Sequence, residues 1–164
     1  MKTFDADLQL RWTQPSGNKG IYELRDIHDT LYGTLARQSR WNNKAAVDAP
    51  GARLAFDRKT RWLKSYVTVT SIGTEQEIAR FDYGAWMVGG TLTFTNGTEY
   101  HWKSSAWGNK FAWLTSSDEL ALGFAVGGFI HPNADVHFDV SDPQSTVLIF
   151  LGWYLYTLLE QDWQ

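Results

Sequence analysis

The sequence predicts a mainly β fold in one domain over residues 1–164, a closed antiparallel barrel of about ten to twelve short strands around a buried hydrophobic helix at about 143–160. Three observations predict it. Short runs rich in Val, Ile, Thr, Tyr, Phe and Trp recur, separated by turn residues every eight to twelve positions or so. A long uncharged apolar run comes after all of them, from Thr146 to Leu159. Aromatic residues make up 15% of the chain, with nine tryptophans, and each such ring buries about 150–250 Å² when it goes inside.

The elements follow in order. Leu8–Thr13 alternates Leu8, Leu10 and Trp12 against Gln9, Arg11 and Thr13, the pattern of a half-buried strand. Pro15, Ser16, Gly17 and Asn18 break it. Ile21–Ile27 and Thr30–Arg37 form a hairpin through His28–Asp29, and Gly33 marks a bend or bulge. Trp41–Asp48 is ambiguous. Pro50–Gly51 turns the chain into Arg53–Phe56, and Trp62–Ile72 carries a long β-branched run that Gly73–Thr74 closes before Glu77–Tyr83 returns. After Gly89–Gly90, Thr91–Phe94 and Glu99–Trp102 flank Asn96–Gly97, the strongest short hairpin signal in the chain, since both central residues of a type I′ turn need positive φ. Phe111–Thr115, Leu120–Val126 and Val136–Val140 complete the strands, with Asp118–Glu119 at a turn.

The character changes at residue 142, where Asp142 can cap a helix and Pro143 suits its first position. The run TVLIFLGWYLYTLL that follows has no polar stripe, so a helix formed by it must be buried on all sides. Fourteen residues rise only about 21 Å, short of the roughly 30 Å of a bilayer core. Glu160 and Asp162 flank it without the Lys or Arg anchors of a membrane border. These features favour a core helix over a transmembrane span, and a barrel closed around it would both remove sheet edges and fill its lumen.

A strand-rich chain with the Asn96–Gly97 hairpin leading to Tyr100 and Trp102, and with LIFLGWYLYTLL at Leu148–Leu159, resembles the tubby C-terminal-like fold. Tubby proteins, phospholipid scramblases and LURP-one-related proteins share that fold. The resemblance covers most of the chain at the level of architecture. It implies a twelve-stranded barrel around a C-terminal helix and a binding or membrane-associated role, because tubby-like barrels recognise phosphoinositides. The long C-terminal signature of the animal tubby proteins and the cysteine-rich and calcium-loop segments of the scramblases have no counterpart here.

A formal charge of −3 argues against a protein built mainly to hold a nucleic-acid backbone or an anionic membrane, since both need a basic surface, while leaving room for a local basic patch. Cysteine is absent, and the first residues lack the apolar run of about 7–15 that a secretory signal needs, so the expected location is the cytoplasm. No nucleophile elbow, P-loop, dinucleotide fingerprint or HExxH helix occurs, and neither cofactor nor metal is expected. The densest basic cluster, Arg58, Lys59, Arg61 and Lys64 with Trp62 inside it, could hold an anionic phospholipid head group, or could be a solvated turn and strand start. Tyr100, Trp102, Trp107 and Trp113 are candidates for a stacking surface, against the plainer reading that they pack the barrel. Alternation places Asp135, His137 and Asp139 on one face, a nonspecific pattern better explained as the wet side of a strand than as a cation site. The expected function is a non-enzymatic binding or scaffold protein for an anionic phospholipid or a protein partner. The alternative is a lipocalin-like carrier or small β-barrel enzyme with an aromatic-lined cavity, which would pack its helix outside the barrel.

Overall fold

The computed structural model describes residues 8–15, 17, 19–39, 42–85, 89–105, 109–127, 133–137 and 144–162. In chain order the elements are β1 (Leu10–Thr13), β2 (Ile21–Asp26), β3 (Leu31–Ser39), β4 (Asn42–Ala49), β5 (Ala52–Arg61) and β6 (Lys64–Ser71). There follow β7 (Gln76–Tyr83), β8 (Gly90–Phe94), β9 (Glu99–Ser104), β10 (Lys110–Thr115), β11 (Leu120–Gly127), β12 (Asn133–His137) and α1 (Ser145–Asp162). Each strand pairs antiparallel with the next, and β1 meets β12 through Leu10↔Val136 and Trp12↔Ala134. The sheet is a closed barrel with no free edge.

Period-two alternation decides what faces the lumen. Leu10 and Trp12, Leu54 and Phe56, Val67 and Val69, Ala79 and Phe81, and Phe111 and Trp113 all point inward and are buried. α1 occupies the axis, with every residue from Ser145 to Leu158 buried, as an all-round apolar helix requires. The space in which a carrier of lipocalin design would hold its ligand is filled by these side chains. Trp12 stacks on Trp153 at 5.5 Å between ring centroids and meets Phe150 edge-on at 5.1 Å. The indole N–H of Trp113 donates to the Leu148 carbonyl at 2.8 Å, satisfying a polar group that burial would otherwise strand. At Gly152 an added Cβ would lie 2.5 Å from Phe124, so glycine is what lets helix and barrel wall approach. Gly33 leaves room in the same way for the Phe150 ring and stands opposite a register shift at Leu24/Arg25, the bulge expected there. The expected cap at Asp142 and Pro143 lies outside the described residues; the first helical bond described runs from Leu148 N to Gln144 O at 3.1 Å.

Three local expectations change. Asn42–Ala49, ambiguous in sequence, is a full strand: its polar start has little strand propensity, yet Val47 pairs with Leu35 on one side and Leu54 on the other. Trp62 does not open a strand; β5 continues to Arg61, and Trp62–Leu63 is a two-residue turn between Arg61 and Lys64 with φ of 52° and 65°. Asn96–Gly97 does form a hairpin, but only Gly97 is left-handed, at 91°, and its N–H donates to Phe94 O while Phe94 N donates to Thr98 O. That is a type I turn closed by a glycine bulge, not a type I′ turn.

Candidate functional site

Because the strands run alternately up and down, their connections fall into two sets at opposite ends of the barrel. α1 finishes at the end that carries the β1–β2, β3–β4, β5–β6, β7–β8 and β9–β10 connections: Arg37 and Arg58, near the ends of β3 and β5, both reach its last turn. This helix-exit end carries Lys19, Lys44, Lys59, Arg61, Lys64, Lys103 and Lys110 on or beside its connections, against Asp57 and Asp82 near the strand ends and Glu160 and Asp162 in the last turn of α1. The opposite end carries Asp26, Asp29, Asp48, Glu75, Glu99, Asp118 and Glu119, with Arg25 and Arg53. Among the described residues cations are therefore in excess at the helix-exit end and acids at the other, an asymmetry that the net charge of −3 conceals.

The predicted basic cluster divides in two. Arg58 is only 13% exposed in its side chain and forms a two-pronged ion pair with Asp162, at 2.7 and 3.2 Å, so it serves the helix end and not a ligand. Burial pulls its guanidinium down, and the hydrogen bond and charge of Asp162 outweigh that, leaving its pKa raised. Arg37 donates to the Thr157 carbonyl at 3.4 Å and to the Gln161 side chain. These two strand arginines answer the negative end of a helix whose own last turn offers no base. Tyr154, whose hydroxyl donates to the Asn43 carbonyl, and Tyr83 beside Arg58 have their phenols pushed up by burial and remain neutral.

Lys59, Arg61 and Lys64 are exposed at the tip of the β5–β6 hairpin. Lys59 has a loose contact with Asp57 at 3.9 Å. The Thr60 and Ser65 hydroxyls meet at 3.1 Å across the ladder and keep its last pairs together. Between these cations Trp62 is 88% exposed and Leu63 is 102% exposed. The sequence offers a turn at this cluster but starts the next strand at Trp62 and does not single out Leu63, because Trp-Leu carries none of the Gly, Asn, Asp or Pro chemistry that announces a turn. The signal available was an apolar pair bracketed by Arg61 and Lys64.

Of the candidate stacking residues, the three described follow the plainer reading and pack the barrel. Tyr100, Trp102 and Trp113 are 3%, 8% and 0% exposed, because the alternation of β9 and β10 turns them into the lumen, where Trp102 stacks on Phe111 at 5.4 Å. Trp107 lies outside the described residues. Asp135 is occupied by Arg11 at 2.8 Å, and Asp139 lies outside the described residues. Among the described residues no group of three His, Asp or Glu side chains could hold a metal, and no helix is long and apolar enough to cross a membrane. An open depression of about 650 Å³ lies at the other end of the barrel, lined by Asp48, Ala52, Arg53, Ile72 and Ile78 among others.

No family model matches the chain, and no curated protein matches it. Among solved structures it is similar to the Arabidopsis thaliana protein AT5G01750, known from its X-ray structure, with a TM-score of 0.56 at 11% identity over 88% of each chain. At that identity the likeness speaks for the fold alone, a twelve-stranded closed barrel with one C-terminal helix.

Proposed function

We propose that the protein works by binding, and that it engages anionic phospholipid head groups with the helix-exit end of its barrel. The observation that carries this reading is the cluster of exposed Lys59, Arg61 and Lys64 at the β5–β6 tip, on the end where the other connection lysines also lie. Each cation near an anionic leaflet contributes about 1 kcal/mol of attraction within a Debye length. The acidic connections are a barrel length away, so the dipolar charge pattern would also orient the molecule. The resemblance to the tubby-like group, whose barrels recognise phosphoinositides, supports the same ligand chemistry. The lumen offers no competing site, since α1 fills it.

Co-sedimentation with phosphatidylcholine vesicles, with and without phosphatidylserine or a phosphoinositide, tests the reading. Binding is expected only when anionic lipid is present, and it should weaken as salt rises. Lys59→Glu, Arg61→Glu and Lys64→Glu together should reduce it by a factor of about 100 or more, from about 1 kcal/mol per charge removed and further repulsion. Equal binding by this triple variant, or no binding by the native protein, would refute the proposal.

A further inference from the structure

We infer that the Trp62–Leu63 tip is an insertion element, which enters the interfacial layer of an anionic bilayer while Lys59, Arg61 and Lys64 hold the head groups around it. This rests on the head-group reading above and adds a hydrophobic contact to it. Three features converge on the tip. Its two apolar side chains are 88% and 102% exposed, so the fold gives them almost no contact. Both sit in the left-handed region, which side chains of this bulk rarely adopt. Strained, solvated and apolar together, they serve nothing inside the protein, and persistent strain of this kind concentrates at ligand clamps.

The chemistry of the pair selects the partner. An indole is at home at the boundary between head groups and acyl chains, where its ring is apolar and its N–H stays wet. Leucine gains free energy only from apolar surroundings, so Leu63 would add nothing on a phosphate backbone of nucleic acid. The bracketing cations complement an anionic leaflet. Exposure alone is not the signal, because single apolar residues on a surface are ordinary. Ile27 shows this: it is 71% exposed at the opposite end of the barrel, yet it stands between Asp26 and Asp29, where an anionic surface would repel it.

The native chain has no cysteine, so Leu63→Cys gives one labelling site for an environment-sensitive fluorophore, and Ile27→Cys gives the matched control. With phosphatidylcholine/phosphatidylserine vesicles, the label at 63 should shift to the blue and be quenched by lipids carrying a shallow nitroxide, while the label at 27 should report water throughout. The double variant Trp62→Asn, Leu63→Gly should bind the same vesicles at least about tenfold more weakly, the loss expected from withdrawing one well-buried apolar side chain or more. Its thermal midpoint should rise by a few degrees, because both new residues tolerate positive φ, so that lost binding is not lost folding. A label at 63 that stays in water on vesicles that bind the protein, or a double variant that binds as the native chain does, would overturn the insertion element and leave the head-group reading standing. A native protein that binds no anionic vesicle would bring down both.

Discussion

The hairpin tips at Trp62–Leu63 and at Asn96–Gly97 stand at opposite ends of one barrel and follow opposite rules. At Asn96–Gly97 the left-handed position is filled by glycine, which adopts it without a Cβ clash, and Asn96 Oδ1 accepts from Thr98 N at 2.9 Å. At Trp62–Leu63 two bulky residues hold positive φ, at about 1–2 kcal/mol each. The ladders explain why both survive. β8 and β9 pair through four residues each, whereas β5 and β6 pair through eight, from Leu54↔Ser71 to Arg61↔Lys64. A short hairpin needs a favourable turn to set its register, while a long one fixes the register along its length and can impose a poor turn on its tip. Turn chemistry thus reports local stability at one end, while at the other the ladder holds a tip that its own residues disfavour.

The largest expected effect concerns the frame both tips share. Gly152→Val would drive a methyl-bearing side chain into Phe124 and should lower stability by about 3 kcal/mol, read by chemical denaturation with intrinsic fluorescence. A change below about 0.5 kcal/mol would mean that α1 is not packed tightly against the wall. Exchanging the tips should then move stability in opposite directions. Asn96→Trp with Gly97→Leu should cost about 2 kcal/mol, and Trp62→Asn with Leu63→Gly should add about as much, by the left-handed penalty. Changes of the same sign in both would erase the contrast. Asp162→Asn, beneath the basic tip, should cost about 1 kcal/mol or less, since Asp162 is 43% exposed and solvent screens the pair; a loss matching that of Gly152→Val would show a buried charge stranded on Arg58. The smallest effect belongs to the triple charge reversal at Lys59, Arg61 and Lys64, expected within about 0.5 kcal/mol of the native protein, so that it separates binding from folding.

Much of this architecture can be read from residue patterns, for stated reasons. Alternation identifies strands such as Thr91–Phe94, and a fourteen-residue run without a polar stripe identifies the buried helix, because burial is what those patterns encode. β4 escapes because its neighbours, not its own Asn-Asn-Lys-Ala-Ala start, make it a strand. The tip escapes because Trp62 favours strands, Leu63 carries no turn signal, and the ladder beneath them is what places both in a turn. Of the four cluster residues, Lys59, Arg61 and Lys64 are exposed while Arg58 faces Asp162, a distinction set by a partner 104 positions away that local sequence does not contain. Tyr100, Trp102 and Trp113 show the converse, since the same alternation that marks their strands also turns them inward.

The placement of α1 has a consequence for how the chain reaches this state. Every strand precedes the helix they enclose, and closure of the barrel joins β1 to β12, with Arg11 bonded to Asp135 across 124 positions. Such contacts are distant in sequence, which places folding in the slow range of roughly milliseconds to seconds for β-rich topologies. During synthesis the strands emerge before the filler of their lumen, so inward rings such as Trp12, Phe56 and Phe81 would await it half-sheltered, in a state prone to aggregation. α1 lies at the centre of the core, and release from a chaperone should follow when residues 145–162 become available to fill the lumen.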